Sequence, residues 1–293
     1  MAGLAAFEQQ RTRLWGIAYR ITGSVADADD AVQETWLRWQ RVPDARAEDP
    51  AAYLTTVVSR LCYDQLTSAR ARREAYVGPW LPEPVVTDSG PEDRATLDES
   101  VGMAMLTVLE RLTPAERTAF ILHDVFAVPF PEIAEVVGRT PDSVRQLASR
   151  ARRRVRAEAP RRSVDRTEHR RAVDAFLAAV MEGDFDGLLH VLDPEVVWRS
   201  DGGGVATAAR LPIVGPEKVA RFAGRITQGV DRETVQVSVR EVNGAPGVVV
   251  VDPANRRVIV FAFSVYGGRV TEIGAVLNPE KLRHLWPAED RRS

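Results

Sequence analysis

Apolar side chains in the first 73 residues recur every three or four positions, a spacing that places them on one face of an α-helix. The first such face consists of Leu4, Phe7, Leu14, Ile17 and Ile21. Gly23 and Ser24 interrupt the pattern, and Asp49-Pro50 provides an N-cap and a first-turn proline for a later helix. Residues 1–73 are therefore predicted to form an all-helical domain.

Prolines and acidic residues replace this pattern over residues 74–99, which are predicted to form a linker. Six acidic residues and one arginine between Glu83 and Glu99 give this stretch a local net charge of -5. Helical spacing returns over residues 100–159. There the segment Thr113–Glu116 combines an N-cap, a first-turn proline and a capping-box glutamate, so a second helical domain is expected.

The pattern changes again in residues 165–293. Val235, Val237 and Val239 alternate with polar residues, which is the period of a half-buried strand. Further strands are predicted at Val196–Ser200, Val248–Val251, Val258–Val265 and Val270–Leu277, and helices at 171–181 and Pro216–Gln228. Short turns separate the later strands, so this region is predicted to be an α+β domain containing an antiparallel meander.

Residues 130–154 have the spacing of a helix-turn-helix. Ala134 is small enough for two helices to cross closely, and Gly138, four residues later, can adopt a positive φ in the turn. Val144 follows six residues after Gly138 and would pack the second helix onto the first. Thr140-Pro141 supplies the cap and first turn of that second helix.

This spacing also fits an ordinary helical hairpin with a solvated basic face, and the local charge favours a DNA-binding motif over that alternative. The whole chain has a net charge of only -2, but twelve arginines and four acidic residues between Arg139 and Arg171 give a local charge of +8. Such side chains bind phosphates and base edges. The predicted DNA-contact residues are Arg139, Thr140, Ser143, Arg145, Gln146, Ser149, Arg150 and Arg152.

Composition excludes several other classes of protein. Cys62 is the single cysteine, which excludes an intramolecular disulfide and a cysteine cluster for zinc. The first residues lack the basic-then-apolar pattern of a signal peptide, and no apolar run is long enough to cross a bilayer. We therefore expect a cytoplasmic protein with no membrane partner, no metal site and no cofactor.

Residues 24–42, SVADADDAVQETWLRWQRV, resemble region 2 of extracytoplasmic-function sigma factors. The resemblance implies that this helix docks on the β′ clamp helices of core RNA polymerase. The implied contact positions are Asp30, Val32, Gln33, Glu34, Trp36 and Leu37. For Trp36 and Trp39 core packing is favoured over base stacking, and for Asp29, Asp30 and Glu34 a solvated acidic face is the alternative to docking.

The following helix resembles the segment of region 2 that melts and reads the −10 element. The implied contact residues are Tyr53, Arg60, Asp64, Arg70, Arg72 and Arg73. Residues 106–155 resemble region 4, with LTPAER at positions 112–117 and PEIAE at positions 131–135. This second resemblance implies that the basic helix recognises the −35 element of promoter DNA and that its domain contacts the β flap of the polymerase.

Residues 165–293 resemble a SnoaL-like domain of the nuclear-transport-factor-two-like fold, a cone of curved sheet and helices. Three motifs are similar to those of the SigJ-type subfamily, which carries such an extension: WLPEP at 80–84, DGGG at 201–204 and NPEKL at 278–282. Val205 departs from this pattern because a lysine is common there. The resemblance implies an interdomain regulatory role for Trp80, Leu81, Pro82, Glu83, Pro84, Asp201, Gly202, Gly203, Gly204, Asn278, Pro279, Glu280, Lys281 and Leu282.

Together these observations predict a sigma factor that is modulated in cis by its C-terminal domain, with no catalytic residue. An obligate anti-sigma factor is not expected, and the cone could hold a small ligand. One alternative is a one-component helix-turn-helix regulator, although such a regulator has no use for the acidic helix at 24–42. The other is an enzyme, for which Asp201, His190 and Trp198 are the candidate residues.

Overall fold

The computed structural model describes residues 2–42, 49–74, 76–87, 102–158, 165–228 and 233–285. The chain divides into two compact units. A helical unit combines Met1–Ala75 with Leu106–Ala159, and a C-terminal unit combines Tyr76–Met105 with Pro160–Ser293.

The first helical bundle contains α1 (Ala2–Thr22), α2 (Val25–Trp39) and α3 (Pro50–Glu74). The N-cap of α2 is Ser24, whose Oγ accepts a hydrogen bond from the Asp27 backbone N at 3.1 Å. The apolar face predicted for α1 is largely the core of the bundle, where Leu14, Ile17 and Ile21 are fully buried. Trp39 is also buried, and its indole Nε1 donates to the Gly3 carbonyl at 2.7 Å.

The second part of the helical unit contains the predicted helix-turn-helix. Its elements are α4 (Met103–Leu109), α5 (Pro114–Phe120), a π-helical turn (Ile121–Val125), α6 (Phe130–Val137) and α7 (Pro141–Glu158). Gly138 caps α6 with φ +65°, a left-handed conformation that favours glycine. Ile133 and Val144 are fully buried between the two helices, as the spacing predicts. The capping box of Thr113 and Glu116 starts α5.

The C-terminal unit is built on one mixed sheet. Its helices are α8 (Arg166–Glu182), α9 (Phe185–Val191) and α10 (Pro216–Thr227), followed by a 3₁₀ helix (Pro279–Leu285). Its strands are β1 (Val86–Thr87), β2 (Leu192–Asp201), β3 (Ile213–Val214), β4 (Gln236–Val242), β5 (Ala245–Asp252), β6 (Arg257–Tyr266) and β7 (Arg269–Val276). The strand order is β1-β4-β5-β6-β7-β2-β3. The predicted meander is β4 to β7, whereas β2 pairs with β7 in parallel.

Part of the segment interpreted as a linker belongs to this sheet. Val86 pairs with Val242 and Thr87 pairs with Glu241, so β1 extends the sheet antiparallel to β4. The prolines and the acidic stretch predicted a spacer, because two paired residues leave no readable alternation in the sequence. Residues 88–101 lie outside the described residues.

Both faces of the sheet are covered. Along β5, Val248 belongs to the core beneath helices α8 to α10, while its neighbour Val249 belongs to a second core on the opposite face. Leu81 and Met103 from the preceding segment, together with Leu282 from the 3₁₀ helix, cover this second core. Burial on both faces explains the continuous apolar character of Val248–Val251.

Candidate functional site

The predicted polymerase-docking residues of α2 divide between its surface and its core. Asp30, Gln33 and Leu37 are exposed. Glu34 is partly exposed and accepts a hydrogen bond from Arg38 Nε at 2.8 Å. Val32 is buried instead, because its position falls on the side of α2 that packs into the bundle. An exposed stripe with two acidic groups and one apolar group therefore lies along α2.

Trp36 and Trp39 both have packing roles. The Trp36 ring lies 4.9 Å from that of Phe7, and the Trp39 ring lies 5.6 Å from that of Tyr53. These contacts favour the packing alternative for both tryptophans. They also hold Tyr53, a predicted −10 contact, on the surface of α3 at 36% exposure.

The described −10 candidates form one stripe along α3. Tyr53, Arg60 and Asp64 are seven and four residues apart, a spacing that places them on one helical face, and all three are exposed. Arg60 Nη2 donates to the Glu135 carbonyl of α6 at 2.7 Å, so this guanidinium has an intramolecular partner. The side chains of Arg70, Arg72 and Arg73 lie outside the described residues.

Carboxylates hold several arginines of α7. Arg150 Nε donates to Glu116 Oε1 at 3.2 Å, and Arg152 Nε donates to Asp124 at 2.5 Å. Arg145 pairs with Asp142 and lies over the Phe130 ring. Neither Glu116 nor Asp124 was predicted as a partner, because Glu116 was already accounted for as a capping residue and Asp124 stands in no motif.

Glu116 is suited to hold these cations. Burial alone would raise the pKa of its carboxyl group, but hydrogen bonds from Thr113 and the guanidinium of Arg150 outweigh that effect and lower the pKa. Among the described residues, Arg139, Gln146 and Ser149 are exposed and have no side-chain partner. The predicted −35 surface thus contains both restrained arginines and unrestrained polar groups.

Asp201 is the centre of a polar network in the C-terminal unit. Its carboxylate is fully buried and accepts hydrogen bonds from Tyr76 Oη at 2.5 Å, from the Leu81 backbone N at 2.8 Å and from Lys281 Nζ at 2.7 Å. Asn278 Nδ2 donates to Tyr76 Oη at 2.8 Å. We call the set Tyr76, Trp80, Leu81, Asp201, Asn278 and Lys281 the linker clasp, because it binds the segment after α3 to the end of β2 and to the 3₁₀ helix.

Lys281 completes the clasp. Its ammonium group donates to the Leu81 carbonyl as well as to Asp201, and it lies 3.6 Å from the centroid of the Trp80 ring, a cation–π contact. Burial, together with the hydrogen bond to the Asp201 carboxylate, raises the pKa of Tyr76, so its hydroxyl remains a donor. Tyr76 was missed because it precedes the WLPEP motif and carries no signal of its own.

The glycines after Asp201 permit close packing at the clasp. Gly203 has φ +65°, and a Cβ added there would lie 2.5 Å from Asn278 Cγ. A Cβ on Gly202 would lie 2.4 Å from the Ala206 carbonyl oxygen. Val205, at the position where a lysine is common, is 76% exposed.

Known proteins match this architecture along almost the whole chain. Family models of sigma-70 region 2 and sigma-70 region 4 match residues 6–72 and 102–155. The ECF RNA polymerase sigma factor SigJ of Mycobacterium tuberculosis is 42% identical over 303 residues, which cover 99% of this chain and 96% of that protein. The chain belongs to the extracytoplasmic-function sigma factors.

A second relative and a solved structure agree with this assignment. The probable ECF sigma factor SigI of M. tuberculosis is 36% identical over 285 residues, 96% of this chain and 95% of that protein. The crystal structure of M. tuberculosis SigJ superposes with a TM-score of 0.77 at 38% identity, covering 95% of this chain and 98% of that one. The predicted sigma-factor family and the fold class, two helical domains followed by an α+β domain, are confirmed.

The three residues considered for an enzyme have separate hydrogen-bond partners. Asp201 belongs to the clasp, His190 is exposed with its Nδ1 on the Asp186 carbonyl at 2.7 Å, and Trp198 donates to Ser200 Oγ at 2.8 Å. The protein is a transcription initiation factor. Within the described ranges, no helix is long and apolar enough to cross a membrane and no group of His, Cys, Asp and Glu could hold a metal ion.

Proposed function

We propose that this sigma factor binds core polymerase through the exposed stripe of α2 and reads promoter DNA through α3 and α7. Within the part of the chain that the structure describes, the stripe presents the exposed side chains of Asp30, Gln33 and Leu37. Positioned cations on α7 suit phosphates, while Gln146 and Ser149 suit base edges. The contacts of Arg60 with α6 would have to open for that side chain to reach a −10 element.

The C-terminal unit, in this proposal, modulates initiation in cis by controlling the segment between the two promoter-reading domains. The observation that carries it is the clasp. Helix α3 ends at Glu74, and Tyr76, two residues later, already donates to buried Asp201. At the other end, Met103 at the start of α4 packs in the same core as Leu81.

Both ends of the connecting segment are therefore bound to a folded body. A free linker of this length would sample many separations of its ends, whereas a clasped one is restricted. Restricting the linker lowers the entropy cost of those arrangements of the two helical domains that the clasped linker permits. It raises the free energy of the arrangements that require the clasp to open. The C-terminal unit would thus select among arrangements of the two domains, and no anti-sigma factor is required for that selection.

Run-off transcription with core polymerase tests this proposal. Asp201→Asn removes the charge that binds Lys281 but keeps the shape of the side chain, and it should change promoter-specific output several-fold at equal protein concentration. Lys218→Met, at an exposed lysine of α10, is the control and should behave as the wild type. Equal output from Asp201→Asn and wild type across a promoter library would contradict regulation through the clasp.

A further inference from the structure

A cavity of about 340 Å³ lies in the C-terminal unit between the sheet and helices α8 and α10. This volume is in the range of small-molecule sites. Three aromatic rings form one wall, where Trp198 meets Phe222 and Phe261 edge-on at centroid distances of 5.3 and 5.7 Å. The wall offers ring faces and edges to a planar guest.

Few polar groups face this cavity. The only charged residues of its described lining are Asp252 and Arg257, which pair in register at the ends of β5 and β6. Asp252 and Arg257 are both solvent-accessible, so they mark the rim. The interior therefore disfavours a charged guest, because an unpaired charge there would lose its hydration.

Ser200 is the buried hydroxyl group of the interior. Its side chain is almost fully shielded, and its Oγ accepts the Trp198 indole N–H at 2.8 Å. That bond leaves the hydroxyl hydrogen able to donate, and among the described residues no protein acceptor bonds to it. A guest with one hydrogen-bond acceptor would satisfy it.

The cavity wall and the clasp share the same two chain segments. On β2, Ser200 lines the cavity while Asp201, the next residue, points to the opposite face and holds the clasp. After β7, Leu277 lines the cavity while Asn278 bonds to Tyr76. The two segments are joined directly, since the Leu277 backbone N donates to the Asp201 carbonyl at 2.7 Å.

We infer that this cavity binds a neutral, mainly aromatic small molecule with one hydrogen-bond acceptor, and that its occupancy tightens the clasp. Filling the cavity restrains β2 and the end of β7, so Asp201 and Asn278 lose freedom to leave their partners. The coupling part rests on the proposed regulatory role of the clasp, whereas the binding part does not.

Binding is tested with prodan, a neutral naphthalene ketone whose emission shifts to the blue in an apolar site, added to the full-length protein. The wild type should bind it saturably with a blue shift. Val250→Phe, which places a ring in the cavity from β5, should weaken binding at least ten-fold, and so should Ala223→Leu from α10 if Val250→Phe fails to fold. Val214→Phe, at an exposed site on β3, should bind as the wild type.

Ser200→Ala removes the hydroxyl that would donate to the prodan carbonyl. It should weaken prodan binding about five-fold, the effect of one neutral hydrogen bond. Absence of saturable binding by the wild type, or equal binding by a folded cavity-filling variant, would overturn the site. Equal binding by folded Ser200→Ala would overturn the predicted acceptor contact.

Coupling is read from hydrogen exchange at the Leu81 amide, which donates to Asp201. Saturating prodan should slow that exchange several-fold and leave it unchanged in Val250→Phe. Binding without any change in Leu81 exchange would overturn the effect on the clasp. Failure of the proposed regulation is a separate result: prodan would bind and slow exchange, yet Asp201→Asn would transcribe like the wild type.

Discussion

Lys281 Nζ lies 2.7 Å from Asp201 Oδ2, and the two side chains are 7% and 0% exposed. The chain has only two lysines among 39 basic residues, and the other, Lys218, is exposed on α10. A lysine suits the clasp because its compact ammonium group contacts a carboxylate, a backbone carbonyl and an indole face at once.

We expect Lys281→Met to destabilise the C-terminal unit by about 3–5 kcal/mol, since the substitution leaves the buried Asp201 carboxylate without its cation. Denaturant unfolding of the full-length protein measures this loss. Lys218→Met should change the free energy of unfolding by less than about 0.5 kcal/mol. Similar midpoints for the two variants would show that the pair adds little to stability.

Gly203→Ala should destabilise the protein more than Gly267→Ala. Both glycines have positive φ, so both variants incur strain of about 1–2 kcal/mol. A Cβ on Gly267 meets no atom within 4 Å, whereas a Cβ on Gly203 meets Asn278 and adds about 1–3 kcal/mol. Thermal unfolding of both variants checks the difference, which should vanish if Asn278 can move aside without cost.

Acid should weaken the helical unit partly through Glu116. The pKa of this carboxyl group is lower in the folded protein than in the unfolded chain, so the unfolded state binds more protons near pH 4 and stability falls as the pH decreases. Urea midpoints between pH 7 and pH 3 should therefore fall less steeply for Glu116→Gln than for the wild type. Glu158→Gln, at the partly exposed partner of Arg111, is the matched removal of a carboxylate elsewhere in the helical unit, and equal slopes for the two variants would contradict a specific role for Glu116.

Arg139 and Gln146 should contribute differently to promoter binding. Arg139→Ala removes an unrestrained cation, so the slope of log affinity against log salt concentration should decrease by about 1 for every DNA sequence. Gln146→Ala should leave that slope unchanged but reduce discrimination among −35 variants by about 1–3 kcal/mol. Fluorescence anisotropy with duplexes measures both, and identical changes in the two variants would contradict separate roles.

Asp30→Arg should weaken binding to core polymerase about ten-fold or more, because it reverses the charge of an exposed α2 residue that has no role in the helical core. Glu8→Arg, an equal charge reversal on the exposed surface of α1, is the matched control. Gel filtration with core polymerase compares the two. Wild-type binding by Asp30→Arg would place the docking surface elsewhere.

Local patterns predicted local structure well. Ala134, Gly138 and Val144 lie within eleven residues, and their packing follows from helical periodicity and one left-handed turn. The clasp could be predicted from the sequence only in part. Resemblance pointed to Asp201 and Lys281, but the bond between Tyr76 and Asp201 joins residues 125 positions apart, and no periodicity encodes such a contact.

The same limit applies to charge. The basic character of α7 was readable from its arginines, but the carboxylates that hold Arg150 and Arg152 come from 34 and 28 residues earlier in the chain. Whether an arginine is restrained or free depends on such tertiary partners, which a count of charges does not contain. Strand β1 was not predicted for a similar reason, because it pairs with a strand far along the chain.

The covering of one sheet face by Leu81 and Met103 has a consequence for biosynthesis. These residues leave the ribosome well before β5, β6 and β7, whose apolar side chains they shield. Leu81 and Met103 therefore lack their packing partners while more than a hundred further residues are translated. The clasp can form only after Asn278 and Lys281 have been synthesised. A nascent chain arrested before that point would have synthesised both helical domains, but the segment between them would lack the contacts of the clasp.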